Sequence, residues 1–165
     1  MSNATPEASC DFCAVTAALP SVPARERLYV GPGWRVRAHR SALPGWTLVI
    51  PKRHITSLDE LSDDEAIELG LILRDLTAVY VQELGALKSY VQQFAEGTPH
   101  AHFSVTPRMA DLPPERLGAK ASLYNSADEP LSESERDDIA IRLADAWPRG
   151  AHTHDVVFAR AEVAS

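Results

Sequence analysis

Two imidazoles and a hydroxyl recur at every second position in the stretch Thr98-Pro-His-Ala-His-Phe-Ser-Val-Thr-Pro-Arg108. His100, His102 and Ser104 alternate there with Ala101, Phe103 and Val105, a period that predicts a β-strand with its apolar side on a core. On the open face the polar groups would stand in a row, roughly 7 Å apart. Imidazoles so placed can attack an electrophile, move protons or hold a metal. Taken alone, the stretch reads equally as an exposed strand that carries two histidines. Cys10 and Cys13 are the two cysteines of the chain and form a Cys-x-x-Cys pair. A thioredoxin-like redox pair opens a helix after a strand. No strand-like run precedes Cys10, so metal ligation is the favoured reading. A pair is half of a tetrahedral zinc set, and the other ligands must come from elsewhere, histidine first among them. Lys52-Arg53-His54 close an apolar run, a pattern that suits an anion site and equally a solvated loop.

These groups need elements to carry them. Residues 1–9 read as disordered, and residues 11–19 as a short Ala-rich helical segment closed by Pro20 and Pro23. Residues 28–30 and 34–38 read as strands around the turn Gly31-Pro32-Gly33, and residues 46–50 as a buried strand ended by Pro51. Ser62-Asp-Asp-Glu65 has the form of a capping box, opening a helix that runs to about Leu84 and stops at Gly85. Ile67, Leu71, Leu76, Val79, Tyr80 and Leu84 recur at helical spacing and predict its buried face. Residues 88–94 return as a strand, paired antiparallel with the histidine-bearing one. Residues 109–130 are polar and Pro-interrupted, a surface excursion. Ser132-Glu-Ser-Glu135 is a second capping box, with a helix to about Trp147. Residues 149–165 read as a mobile tail, with an edge strand over 155–159 as the alternative and no role for His152 or His154. The sum is an α+β domain: an antiparallel sheet crossed by one long helix over residues 10–112. A C-terminal extension over 113–165 adds one helix packed on the same domain.

At 165 residues the chain is long enough to bury a core without disulfides. Its 45% hydrophobic and 24% charged content is that of a globular protein. A net charge of −7 without a basic tract argues against long nucleic acids as partners but leaves a small phosphorylated ligand open. No apolar run approaches about 18 residues and no signal-peptide pattern opens the sequence, so no membrane partner and a cytoplasmic location are expected.

Read in order, Gly45-Trp-Thr-Leu-Val-Ile-Pro-Lys-Arg-His54, the capped long helix, and His100-Ala-His-Phe-Ser-Val-Thr-Pro-Arg108 resemble the histidine-triad (HIT) family. The family signature is His-φ-His-φ-His-φ-φ, with φ apolar. The resemblance covers about residues 10–112, and the leading Cys-x-x-Cys is similar to that of zinc-bearing bacterial members. Pro107-Arg-Met-Ala-Asp-Leu-Pro-Pro114 looks like an actinobacterial subgroup. The resemblance implies a HIT-like fold with a five-stranded antiparallel sheet, a homodimer, and nucleotidyl transfer or hydrolysis at the α-phosphate of a nucleotide or nucleotide conjugate. It implies His102 as the nucleophile that forms a phosphohistidine, its other ring nitrogen donating to a carbonyl. It also implies a structural zinc held by Cys10, Cys13, His54 and His100.

Three positions depart from the family pattern. Ser104 replaces the third histidine, and a hydroxyl is too weak an acid to stand in for an imidazolium. A leaving group of low pKa would need that acid least. Glu96-Gly-Thr-Pro99 replaces a phosphate-touching Gly-Gln-Ser/Thr run, leaving Thr98 and backbone amides. Ala38 stands where relatives carry Asp or Asn for the ribose, with His39 or Arg40 as substitutes. Gln93 and Arg108 are further expected substrate contacts. A non-catalytic nucleotide- or protein-binding module, or a specialised biosynthetic enzyme reusing the site, is the alternative.

Overall fold

The computed structural model describes residues 9–123 and 128–160. The disorder expected over 1–9 therefore lies, Ser9 apart, outside the described residues. In chain order the elements are α1 (Asp11–Ala17), β1 (Tyr29–Val30), β2 (Trp34–Ala38), β3 (Thr47–Pro51), α2 (Asp63–Leu84), β4 (Lys88–Gln92), β5 (Phe103–Arg108), α3 (Glu133–Asp145) and β6 (Val157–Phe158). The strands form one sheet in the order β4-β5-β3-β2-β1-β6, antiparallel throughout. This is the α+β architecture the sequence predicts, with one correction. The sheet has six strands rather than five, because the C-terminal segment pairs with β1 through Tyr29 and Phe158.

The same pairing corrects the mobile tail over residues 149–160; residues 161–165 lie outside the described residues. Phe158 and Ala159 are buried in the main core, and His152 Nε2 lies 2.7 Å from Asp75 Oδ2 on α2. A buried aromatic and a carboxylate–imidazole contact fix residues that look featureless in sequence. The α3 residues Ala140, Leu143 and Ala144, followed by Trp147, enter the core that also holds Tyr29, Trp34 and Leu76.

Helix α2 begins as its capping box predicts: Ser62 Oγ accepts from Glu65 N, and the Glu65 carboxylate accepts from Ser62 N at 2.9 Å. It ends at Gly85, whose φ of 68° is the left-handed value that favours glycine. Ile72, Leu76, Val79 and Tyr80 make its buried face. Ile67, expected there, is exposed, and Glu65 and Asp75 are buried instead because both carboxylates have partners. Tyr80 crosses to the sheet, donating to Val105 O and sharing a bond with Thr47 Oγ1.

Glu65 also receives Nε and Nη2 of Arg53, at 2.8 and 2.7 Å. The guanidinium, with the capping amide, holds its carboxyl down at about 2 against an ordinary 4.5. A folded-state pKa depressed in this way gives stability that is complete above about pH 4.5 and drains as pH falls toward 2. Acid titration of wild type against Glu65→Gln, followed by thermal melting, is expected to show on the order of 2 kcal/mol of extra loss in wild type across that window. Parallel curves would remove Glu65 as the cause.

Candidate active site and metal centre

Four ligand atoms from three parts of the chain converge at one end of the sheet. Cys10 caps α1 and Cys13 sits in its first turn; His54 follows β3; His100 precedes β5. Ala101 N donates to Ile55 O at 2.7 Å, tying the two histidine loops together. Arg35, fully buried on β2, donates to Thr16 Oγ1 and Phe12 O and so fixes α1 over the sheet. Cys10 Sγ is 3.3 Å from His100 Nδ1, Cys13 Sγ is 3.4 Å from His54 Nδ1 and 3.6 Å from His100 Nδ1. All four ligand atoms lie within 4.8 Å of one another. A tetrahedron around zinc has edges of roughly 3.4 Å between nitrogens, 3.6 Å from nitrogen to sulfur and 3.8 Å between sulfurs, from the usual bond lengths. The three nitrogen–sulfur separations lie within about 0.3 Å of that figure.

The orientation of His100 agrees. Its Nε2 lies 3.0 Å from Pro51 O. A carbonyl only accepts, so Nε2 carries the proton and Nδ1 turns its lone pair on the thiols. Burial lowers the pKa of His100 and keeps the ring neutral, as ligation requires.

His102 is held by the same device. Its Nδ1 lies 2.9 Å from His100 O, so Nδ1–H donates and Nε2 is left with the lone pair. Phe12 packs edge-on against both rings, with centroids 5.5 Å from His100 and 5.2 Å from His102. The expected row of three groups on one open face is corrected here. Strand β5 starts only at Phe103, and His100 is turned inward to the thiols while His102 and Ser104 stay partly open. The contacts of His100 with the two thiols and Pro51 O override the simple alternation.

Ser104 has a partner that sequence reading missed. Trp46 Nε1 donates to Ser104 Oγ at 2.6 Å. Gly45, at φ 83°, makes the turn that delivers Trp46, and a Cβ there would meet Leu84 Cδ1 at 2.4 Å. His39 stacks on the Trp46 ring with centroids 4.4 Å apart. Burial first, then the Arg37 charge, lowers its pKa to about 4, so the ring is neutral near pH 7.

A cleft of about 320 Å³ is lined by Cys10, Asp11, Phe12, Val15, Arg37, Gly97 and Thr98 among others, and Phe12 links it to the His102 ring. Thr98 lines this cleft, and His39 is linked to Ser104 through Trp46. The other three expected contacts are not brought in. Arg40 is exposed in the loop after β2. Gln93 lies past β4 in a separate groove with Tyr90, Phe94 and Ala119. Arg108 is opposite Lys88 at the far end of β5, roughly 20 Å along the chain from His102, and donates to Met109 O. A strand separates its two ends by its full length, which spacing in sequence conceals. Arg37 was not expected at all. The alternation of Arg35 and Arg37 with Trp34, Val36 and Ala38 was the available signal, since it sets both guanidiniums on the face opposite the core.

No family model and no curated protein sequence matches the chain. Solved structures do. A HIT-like protein involved in cell-cycle regulation from Bartonella henselae, solved with an unknown ligand, superposes at TM-score 0.66 and 18% identity, covering 85% of this chain and 97% of that one. A zinc-bound histidine triad family protein from Mycobacterium smegmatis gives 0.61 at 21% identity, covering 84% and 92%. The diadenosine triphosphate hydrolase of Plasmodium falciparum, in complex with cyclomarin A, gives 0.58 at 13%, covering 75% and 77%. The chain has the histidine-triad fold.

Proposed function

We propose that this chain is a histidine-triad nucleotidyl hydrolase or transferase acting at an α-phosphate through a phosphohistidine on His102. The observation that carries the reading is the 2.9 Å contact of His102 Nδ1 with His100 O, which leaves Nε2 as the nucleophile. In the first step Nε2 forms a bond to phosphorus, and the bond from phosphorus to the leaving oxygen breaks, that oxygen keeping the electron pair. Positive charge builds on the imidazole, and the His100 carbonyl accepting from Nδ1–H stabilises it. In the second step water or another acceptor oxygen bonds to phosphorus, loses its proton to solvent, and the P–N pair returns to Nε2. Ser104, oriented by Trp46, supplies a neutral hydrogen bond to a phosphate oxygen rather than a proton.

The Cys10, Cys13, His54 and His100 set is read as a structural zinc site, two thiolates and two imidazoles leaving no open position. When bound, the ion supplies a cross-link between α1 and the two histidine loops. The likeness to a zinc-bound protein of the same fold supports the choice of metal. Thiolate ligands suit a reducing compartment, in keeping with a cytoplasmic location. Pairing of two copies, usual in the family, is part of the same reading.

The test is incubation with adenosine and guanosine phosphate esters, followed by assay of nucleotide release and acid-quench trapping of phosphohistidine. Nucleotide binding with neither release nor adduct would sink the enzyme reading in favour of a binding module, the alternative that Ser104 favours. Ser104→His is expected to raise turnover of esters with poor leaving groups by about 10-fold or more, since a positioned acid contributes typically 10²–10⁴. Anhydrides with phosphate leaving groups should change little. Equal effects on both substrates would show that the third position does not govern leaving-group protonation.

A further inference from the structure

The cleft lined by Phe12, which packs against the His102 ring, needs positive charge to take an α-phosphate, and neither His39 nor Ser104 brings any. Among the described residues one guanidinium lines it, that of Arg37. We infer that Arg37 is the specificity-determining contact for the phosphate of a nucleotidyl ligand, sharing with Ser104 the work of the missing third imidazole. The inference rests on the phosphohistidine reading above.

Register supplies the first argument. Arg37 is opposite Leu48, Leu48 opposite Ser104 and Ser104 opposite Gln92, so these residues form one row across β2, β3, β5 and β4. Opposed residues share a face. Arg37 and Ser104 are therefore two strands apart on the same side, roughly 10 Å between backbones. An extended arginine and a group attached to His102 can meet across that distance.

The hydrogen-bond pattern supplies the second. Arg37 Nε is used locally, 3.3 Å from Ala38 O and 3.4 Å from Glu26 Oε2. Nη1 and Nη2 make no hydrogen bond among the described residues, and the side chain is 18% exposed, at the cleft wall. The guanidinium is anchored at its root and open at its fork, the edge that grips a phosphate.

Charge supplies the third. Glu26 is shared by Arg35 at 3.8 Å and Arg37 at 3.4 Å, and its Oε2 makes no hydrogen bond. Two guanidiniums against one carboxylate leave an excess of positive charge at this wall. Asp11 is the only carboxylate among the residues that line the cleft, and Arg136, buried on α3, is paired with Glu133 at 4.0 Å. In a chain of net charge −7 an anion is drawn to such a local reversal of sign.

The test compares AMP with adenosine by calorimetry on full-length zinc-loaded protein. In Arg37→Gln the AMP dissociation constant is expected to rise about 10- to 100-fold, a charged hydrogen bond's typical effect, with adenosine unchanged. Arg37→Lys, which keeps the charge beside Glu26 but loses the fork, should fall between, and it decides the matter if the glutamine variant does not fold. Zinc content and melting temperature equal to wild type certify each variant. Unchanged AMP binding, or equal weakening of AMP and adenosine, overturns the inference, as does a wild type that binds AMP no better than adenosine. Phosphohistidine trapping on wild type reports the catalytic reading separately. A trapped adduct with unchanged AMP binding keeps the enzyme and rejects Arg37, whereas lost AMP discrimination without any adduct keeps Arg37 and rejects the enzyme.

Discussion

His102→Asn is expected to abolish nucleotide release, by at least about 10⁴-fold, while zinc content and melting temperature stay at wild-type values. Asparagine can keep a polar contact near the His100 carbonyl but offers no basic nitrogen to phosphorus, so the step that forms the P–N bond is lost. The prediction separates two histidines that a sequence pattern treats alike. His100 is fully buried against the thiols and Pro51 O, whereas His102 is partly open and, among the described residues, hydrogen-bonded only to the backbone of His100. Metal analysis and single-turnover kinetics on the same preparation check it. Zinc lost along with activity would mean that His102, not His100, completes the metal site.

Cys13→Ser is expected to lower zinc from one ion per chain to a small fraction. It should cost about 3–5 kcal/mol, a fall of roughly 10–15 °C in melting temperature for a chain of this size. Cys13 is the hub of the cluster, with its sulfur within 3.6 Å of both histidines. Its loss opens the link between α1, the loop after β3 and the loop before β5. The consequence reaches catalysis through one residue. On the proposed reading His100 would give its ring to the metal while its carbonyl accepts from His102, so a loosened His100 would also loosen the His102 tautomer. Turnover should therefore fall below the level explained by unfolding, measured at a temperature where circular dichroism shows the variant folded. A variant that melts like wild type, or wild-type protein purified without chelators that contains no zinc, would remove the structural metal from the account.

The sequence by itself determined much of the frame. Both capping boxes, the turn at Gly31–Gly33, the stop at Gly85 and the β4–β5 pair follow from local rules, because each depends on residues a few positions apart. The four thiol and imidazole ligands were legible through the family resemblance, and the structure brings them within ligating distance. The sixth strand was only half legible. A two-residue strand has no period to read, and only the cover that Phe158 finds against Tyr29 and Trp147 makes it strand.

Only tertiary structure decided the rest, since the deciding contacts join residues far apart in sequence. Alternation offered His100, His102 and Ser104 as one row; packing against α1 turned the first inward, anchored the second on the first, and placed the third under an indole 58 positions away. It left Gln93, Arg40 and Arg108 outside the cleft and brought in Arg37 from β2. Composition and spacing tell which side chains can do chemistry. Which of them meet depends on strand order and on where a buried charge or a metal-ligand set finds its partners, and no local rule contains either.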